Sequence, residues 1–357
     1  MKKIKTLIVD DSPLIRKVLY EILSSDSEIE VVGTASDPFI ARDKILRLKP
    51  DVITLDVEMP LMNGITFLKR IMHYKPLPVV MISSYTRRNC ELTVEALASG
   101  AVDFVSKPFD NFTEGMAVLK DEIIAKIKAA AHCRVKRPST ASLVPIYPSI
   151  SSQDFPEDRI IVIGASTGGT QAIREILHRM PKGISGIAIV QHIPPEYTKV
   201  LAKRMDELSQ VQVKEAENNQ RLRKGWALIA PGGKHMRLRK DPEGYYVTVE
   251  DGSLTDLHRP SIDTLFYSAA ECAKNKAIGV ILTGMGRDGA KGMLALKKEG
   301  AFTIAQDKNS SVVFGMPKAA IELGAADEIV PLEQIPEVII SKLISREKTI
   351  SGKDFNH

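Results

Sequence analysis

The chain has 357 residues, of which 44% are hydrophobic and 26% charged, a composition typical of soluble globular proteins with room for two domains. A formal net charge of +5 does not require a nucleic-acid partner, and no apolar run is long enough to span a bilayer, which argues against membrane insertion. Cys90, Cys133 and Cys272 are scattered without metal-ligand spacing, so we expect thiols in a reducing cytoplasm.

Short apolar runs alternate with helical patterns through about the first 125 residues. This alternation predicts an α/β domain with a parallel sheet and helices on both of its faces. In such folds ligands bind beyond the carboxyl ends of the strands, so polar residues at those ends are candidate site residues. The predicted strands are 6–9, 31–35, 52–55, 79–82 and 102–105.

Several of these strand ends carry charged or hydroxyl side chains. Asp10 and Asp11 follow the first predicted strand and Asp56 follows the third. Three carboxylates on one rim repel each other unless a cation sits among them, and oxygen ligands suit Mg²⁺, which favours phosphate as a further ligand. Ser83 and Lys107 follow the fourth and fifth strands, so a hydroxyl and an ammonium group are available for phosphoryl oxygens. The set predicts a magnesium-assisted phosphate site.

These residues resemble the receiver domain of two-component response regulators; the motifs are Asp10-Asp11, Asp56 with the segment to Gly64, Ser83, and Lys107-Pro108. The resemblance implies a doubly wound, flavodoxin-like fold. It also implies that Asp56 accepts a phosphoryl group from a histidine kinase, here the chemotaxis kinase. Asp11 and Asp56 would bind Mg²⁺ directly, and Asp10 would reach it through water. Ser83 and Lys107 would sense the phosphoryl group.

The resemblance also places Phe104 at the position of the aromatic switch residue of the family. We expect the receiver domain at residues 1–125. From residue 134 onward Pro and Ser residues interrupt all periodicity, which predicts a connecting segment, set here at residues 126–155. Its basic cluster at 126–137 is interpreted as a solvated linker rather than an RNA contact.

The second domain, residues 156–347, begins with an apolar run that ends in Gly164-Ala-Ser166-Thr-Gly168-Gly169 before a helical pattern. This pattern is typical of a buried strand, a tight turn and a helix start. It fits the G-x-S-x-G form of a nucleophile elbow, which would expose Ser166 Oγ above the strand end. An ordinary turn or a phosphate-binding turn remains open at this point, because small residues after a strand also form those.

Two further strand ends carry candidate catalytic groups. The next run, 186–190, ends in Gln191-His192, where a dinucleotide site would need an acidic residue, so acid–base chemistry is favoured. The run 277–282 leads into a glycine-rich turn that contains Asp288. The order Ser, His, Asp differs from that of α/β-hydrolases, yet triads are recognised by roles rather than order. His235 competes as the base, but it lies in a predicted hairpin and is interpreted as substrate-side or structural.

The second domain resembles the CheB family of chemotaxis receptor methylesterases; the motifs are Gly164-Ala-Ser-Thr-Gly-Gly, Gln191-His-Ile-Pro, Ala230-Pro-Gly-Gly-Lys-His-Met, Arg259-Pro-Ser-Ile-Asp and Leu282-Thr-Gly-Met-Gly-Arg-Asp-Gly-Ala. The resemblance implies an α/β domain with a mostly parallel sheet and an appended hairpin. It implies hydrolysis of glutamate γ-methyl esters and deamidation of glutamines on methyl-accepting chemotaxis receptors. Ser166 would be the nucleophile, His192 the general base and Asp288 its orienting group.

We expect the oxyanion to bind backbone N–H groups of the Gly284-Met285 turn, mainly that of Met285, and the esterase site to need no cofactor. Phosphorylation would release a receiver that covers the Ser166 rim. The chain is expected to be a cytoplasmic monomer with an unpatterned tail at 348–357. Two alternatives stay open: a receiver-controlled esterase or amidase for another signalling protein, and a DNA-binding response regulator, which would need a helix-turn-helix after the linker.

Overall fold

The computed structural model describes residues 2–84, 86–108, 118–133, 135, 155–252 and 258–345. The chain divides into two compact units between residues 141 and 142. Most of the predicted linker and the whole predicted tail at 348–357 lie outside the described residues. Within the described ranges, every helix is too short or too polar to traverse a lipid bilayer. The three cysteines, all described, are thiols, as predicted.

In the described part of the first unit, strands and helices alternate along the chain: β1 (Ile4–Val9), α1 (Pro13–Ser24), β2 (Ile29–Ala35), α2 (Pro38–Leu48), β3 (Val52–Asp56), α3 (Gly64–Tyr74), β4 (Val79–Ser84), α4 (Arg87–Ala98), β5 (Asp103–Lys107) and α5 (Lys120–Ala131). The strands form a parallel sheet in the order β2-β1-β3-β4-β5. The central strand β3 is buried along its whole length, as expected for a strand inside a parallel sheet that is covered on both faces. The predicted doubly wound fold is confirmed.

Helix α5 extends the first unit beyond residue 125, where the sequence interpretation ended the receiver. Ile123, Ile127 and Ala130 are buried in this helix. Lys126, which was assigned to a solvated basic linker, donates to the backbone oxygen of Phe104 at 2.6 Å and lies 3.5 Å from the Asp103 carboxylate. The boundary at 125 is therefore wrong for a physical reason: one face of α5 packs on the sheet, and its lysine pairs with groups of β5.

The second unit continues with β6 (Ile160–Ala165), α6 (Gly169–Arg179), β7 (Gly186–Gln191), α7 (Pro195–Leu208), β8 (Gln212–Glu215), β9 (Gln220–Arg221), β10 (Trp226–Ile229), β11 (Lys234–Asp241), β12 (Gly244–Asp251), α8 (Ile262–Cys272), β13 (Ala277–Ile281), α9 (Ala290–Lys298), β14 (Phe302–Gln306), α10 (Met316–Glu322), β15 (Glu328–Val330) and α11 (Ile335–Ser345). Short 3₁₀ turns lie at Lys274–Lys276 and Leu332–Gln334. Seven strands form a parallel sheet in the order β15-β14-β13-β6-β7-β10-β8. Strand β6 therefore lies between β13 and β7, which brings three of the predicted functional turns to one rim.

The predicted hairpin is present, although it belongs to a separate sheet. Strands β11 and β12 pair antiparallel, and β12 also pairs with β9, so the three form a sheet of their own. Met236, Leu238 and Val247 are fully buried on its inner face. The Leu238 N–H donates to Ser268 Oγ of α8 at 2.9 Å. Helix α8 thus joins the hairpin to the parallel sheet.

Candidate functional site

Ser166 lies in the turn between β6 and α6. Its N–H donates to the Thr283 carbonyl at 3.1 Å, and its own carbonyl accepts from Gly169 N–H at 2.7 Å. Gly168 has φ +77, and a Cβ added there would lie 2.5 Å from Val312, so both backbone and packing require glycine. Ser166 Oγ has no hydrogen-bond partner among the described residues. The hydroxyl is therefore available at the rim, in the arrangement that the elbow motif predicts.

His192 and Asp288 meet at the ends of the two strands that flank β6. The His192 N–H, directly after β7, donates to the Ala165 carbonyl at 3.0 Å. Its ring Nε2 lies 2.8 Å from Asp288 Oδ2, and both side chains are about nine-tenths buried, with exposures of 12% and 11%. Gln191 Nε2 donates to the Ser166 carbonyl at 2.9 Å. The structure thus brings the three predicted triad residues to neighbouring positions on one rim.

The Asp288 carboxylate is held at the amino end of helix α8. Oδ1 accepts from Ser261 Oγ at 3.1 Å and from Asp263 N–H at 3.0 Å, and Oδ2 also accepts from Ile262 N–H at 2.8 Å. Burial alone would raise the pKa of Asp288, but His192 and these backbone donors lower it to about 2. Asp288 is therefore an anion at neutral pH.

Ser261 was not predicted as part of the site. It caps α8 by accepting from Thr264 N–H at 3.3 Å, and a serine before an apolar helical run is the sequence signal for such a cap. Its second bond, to Asp288, joins residues 27 positions apart and has no local signal. A cap was readable from sequence, whereas its contact with the carboxylate was not.

Two further histidines lie near His192 and differ in role. His235 is 2% exposed, and its Nδ1 accepts from Ser261 N–H at 3.2 Å, so it supports the α8 cap, consistent with the structural interpretation. His258, which was not predicted, stacks on the His192 ring with centroids 4.5 Å apart and planes at 22°. Partial burial, followed by the neighbouring His192, lowers the pKa of His258, while Asp288 opposes this shift. His258 therefore favours its neutral form against the His192 ring.

The predicted oxyanion turn follows β13, and its two amides differ. The Gly284 N–H already donates to the Val313 carbonyl at 3.0 Å, which argues against Gly284 as an oxyanion donor. Glycine is needed there because an added Cβ would lie 2.7 Å from Ser166 Cβ and would clash with Met316. The Met285 N–H has no acceptor among the described residues, and its side chain is 36% exposed. Of the two predicted donors, the Met285 amide remains.

The predicted phosphate site of the first unit is also assembled. Ligand oxygens of Asp10, Asp11 and Asp56 all lie within 4.8 Å of one another. Lys107 Nζ lies 3.0 Å from Asp10 and 2.8 Å from Asp56. Burial, and then the charge of Asp10, raise the pKa of Asp56 to about 6 although Lys107 opposes this. The positive charge of one buried lysine does not offset the negative charges of three carboxylates. A set of oxygen ligands with uncompensated negative charge fits Mg²⁺.

The two predicted switch residues lie on the neighbouring strands β4 and β5. Ser83 is fully buried at the carboxyl end of β4, where its Oγ accepts from Thr93 Oγ1 at 2.7 Å. Its neighbour Ser84 is paired in register with Lys107. Phe104 is 4% exposed, and Lys126 Nζ lies 5.3 Å from its ring centroid. Phe104 therefore lies on the same strand as Lys107, and Ser83 lies on the adjacent strand.

Comparison with known proteins matches both units. The CheB methylesterase family model matches residues 161–339, and the response regulator receiver domain model matches residues 6–118. A protein-glutamate methylesterase/protein-glutamine glutaminase 2 of Syntrophus aciditrophicus is 48% identical over 95% of this chain and 99% of its own length. A protein-glutamate methylesterase/protein-glutamine glutaminase of Salmonella typhimurium is 46% identical, covering 96% of this chain and 98% of its own.

A crystal structure of the Thermotoga maritima CheB methylesterase catalytic domain superposes with a TM-score of 0.50 and 43% identity. It covers 53% of this chain and 98% of its own. The family match at 161–339 occupies the region where a DNA-binding output domain would have to lie, so that alternative is wrong.

Proposed function

The chain belongs to the CheB methylesterase family, and on that premise we propose that Ser166, His192 and Asp288 carry out its reaction. It is a protein-glutamate methylesterase and protein-glutamine glutaminase with a response regulator receiver domain. Its substrates are glutamate γ-methyl esters and glutamines of methyl-accepting chemotaxis receptors. The observation that carries the residue assignment is the His192–Asp288 bond on the rim that also holds Ser166.

The geometry assigns distinct roles to the two ring nitrogens of His192. Because Nε2 is bonded to the Asp288 anion, Nε2 carries the proton of the neutral ring and Nδ1 is the base. Nδ1 takes the Ser166 proton as Oγ attacks the γ-carbonyl carbon. The imidazolium then protonates the methoxy oxygen or the amide nitrogen, which leaves as methanol or ammonia. Water attacks the acyl-enzyme with Nδ1 again as base, which releases the glutamate carboxylate and restores the serine.

The oxyanion formed in each step accepts a hydrogen bond from the Met285 N–H. A single backbone donor of this kind is typically worth about 3 kcal/mol of transition-state stabilisation. Gly284 contributes by letting the turn approach Ser166, not by donating. The esterase site requires no cofactor for this chemistry, since all proton transfers run through His192.

In the receiver, Asp56 accepts the phosphoryl group from a chemotaxis histidine kinase. Asp11 and Asp56 would hold Mg²⁺ directly, and Asp10 through water. When bound, Mg²⁺ neutralises charge on the phosphoryl oxygens. Lys107 and Ser83 bind phosphoryl oxygens, and Phe104 responds to the displacement of Ser83. We assign this control to residues 1–131 and the esterase to 156–347.

The test is methanol release from membranes that carry methylated receptors, with and without a small phosphodonor and Mg²⁺. The full-length protein is compared with Ser166→Ala and with Ser209→Ala, a half-buried serine at the end of α7 whose hydroxyl donates to the Met205 carbonyl. We expect Ser166→Ala to release no methanol above background, and Ser209→Ala to match the full-length protein. Methanol release by Ser166→Ala at the full-length rate would show that the elbow is only a structural turn.

A further inference from the structure

We propose that Thr283 is a positioning residue that sets the distance between the Ser166 nucleophile and the Met285 amide. Thr283 is 1% exposed and lies just beyond the end of β13, after Leu282. It contacts no reacting atom in the mechanism above. The inference rests on the proposed function, because it assumes that Ser166 and the Met285 N–H act on the same carbonyl.

On one side, Thr283 binds the nucleophile elbow twice. Its carbonyl accepts from the Ser166 N–H at 3.1 Å. Its hydroxyl donates to the carbonyl of Thr167 at 2.9 Å. The nucleophile and the residue after it are therefore tied to one residue of the neighbouring strand, and the elbow is held relative to the end of β13.

On the other side, Thr283 binds the segment between β14 and α10. Its hydroxyl oxygen accepts from Val313 N–H at 2.9 Å, and its own N–H donates to Gln306 Oε1 at 2.8 Å. The Val313 carbonyl in turn accepts from Gly284 N–H. The Gly284 carbonyl accepts from Met316 N–H at 2.9 Å. These bonds hold the peptide groups on both sides of Gly284, and the second of these groups contains the Met285 N–H.

One hydroxyl thus joins the elbow to the segment that orients the oxyanion turn. Its nearer acceptor is the Thr167 carbonyl at 2.9 Å, the Val313 carbonyl is a longer second acceptor at 3.3 Å, and its oxygen accepts from the Val313 N–H, so removal of the hydroxyl breaks the links to both segments at once. The substrate would still bind, because Thr283 is buried. The Ser166 Oγ and Met285 N–H would lose their relative placement, which matters mainly in the transition state. Displacements of about 1 Å at a reacting centre cost up to about 100-fold in rate.

Thr283→Val removes the hydroxyl at nearly constant volume, and Thr283→Ser retains it. Thr303→Val is a matched control in the adjacent strand β14. Thr303 is fully buried, and its hydroxyl likewise donates to a carbonyl, that of Ala325 at 2.7 Å, and accepts from the N–H of Asp327 at 3.1 Å. It lies near the amino end of its strand, away from the rim. We therefore expect both valine variants to lose stability, and only Thr283→Val to lose rate in methanol release.

The experiment measures kcat and KM for methanol release by the full-length protein with phosphodonor and Mg²⁺, at equal concentrations of folded enzyme. We expect Thr283→Val to lower kcat by about 10- to 100-fold with KM within about twofold. We expect Thr283→Ser to regain most of kcat, and Thr303→Val to keep it. Thr283→Ala takes the place of the valine variant if the latter does not fold.

An unchanged kcat in Thr283→Val, or an equal loss in Thr303→Val, would overturn the inference. Failure of the proposed function is seen separately, because Ser166→Ala would then release methanol at the full-length rate whatever Thr283 does.

Discussion

Asp288→Asn tests the orientation of the base most sharply, because the carboxylate accepts four hydrogen bonds and an amide has only one acceptor oxygen. If the amide nitrogen takes the Oδ2 position, it faces His192 Nε2, which must then become the acceptor, and the proton moves to Nδ1. If it takes the Oδ1 position, it faces the Asp263 N–H, and two donors oppose each other. The first orientation gives the base the wrong tautomer and also sets the amide nitrogen against the Ile262 N–H, whereas the second strains only the α8 cap.

The wrong tautomer is the larger effect on rate. In Ser-His-Asp enzymes this substitution lowers kcat by about 10⁴-fold. We therefore expect a loss of about 10³- to 10⁴-fold, or about 4 to 5 kcal/mol of activation free energy. KM for receptor membranes should change little, because Asp288 lies behind His192 as seen from Ser166.

The assay is steady-state methanol release by phosphodonor-activated protein. Asp327→Asn is the control, since it also removes a carboxylate that accepts a backbone hydrogen bond, here from the Thr303 N–H, although this one is 30% exposed and pairs with Lys297 at 3.1 Å. We expect it to keep kcat within about threefold. A loss of less than about tenfold in Asp288→Asn would refute the reasoning, because the ring would then be oriented by something other than this carboxylate.

Four further predictions concern both units. Asp56 has a raised pKa, so its ionisation destabilises the folded receiver as the pH rises from about 4 to 6. Asp56→Asn should therefore raise the free energy of unfolding by up to about 3 kcal/mol at pH 8 and leave it unchanged below pH 4. Urea titrations at each pH measure this difference. Met285→Ala keeps the amide and should retain kcat within about threefold, whereas Gly284→Ala places a Cβ against Ser166 and should lower it by about 100-fold; the reverse order in the methanol assay would contradict the assignment. His258→Phe keeps a ring against His192 and should retain kcat, while His258→Ala should lose up to about tenfold; equal losses would remove the stacking role. Deletion of residues 1–150 should raise the unactivated rate and abolish the response to phosphodonor, and an unchanged rate would sink inhibition by the receiver.

The fold, and the positions of the proposed triad residues at strand ends, were accessible from sequence because the strands of a parallel sheet all end at one edge. Asp56, Ser166 and His192 each lie at or just after the end of an apolar run, so the pattern predicts a rim position without knowledge of the strand order. The order β13-β6-β7 was not accessible, because it pairs strands more than a hundred residues apart in the chain. The residue type at a strand end can be read from the local sequence, whereas the identity of the neighbouring strand in the sheet cannot.

The errors have the same origin. Gly284 was a reasonable donor until Val313, nearly thirty residues later, was found to occupy its N–H. Lys126 belongs to a run of basic residues that resembles a solvated linker, and only its contacts with Phe104 and Asp103 show otherwise. Thr283 carries no catalytic signature, since a threonine in a glycine-rich turn is common. In each case the role of the residue depends on a partner that is distant in sequence.

The amino end of α8 helps the carboxylate of the proposed triad to orient the base without competing for its proton. Burial opposes the shift, but His192 lowers the pKa of Asp288 most and the backbone N–H groups of Ile262 and Asp263 lower it further, to about 2, which makes the carboxylate a weak base. A proton taken from Ser166 therefore stays on the imidazole ring, from which it can reach the leaving group. A more basic carboxylate would share that proton and weaken His192 as the acid of the second half of the step. The helix start thus supplies the placement of Asp288 and part of the low basicity that the proposed mechanism requires.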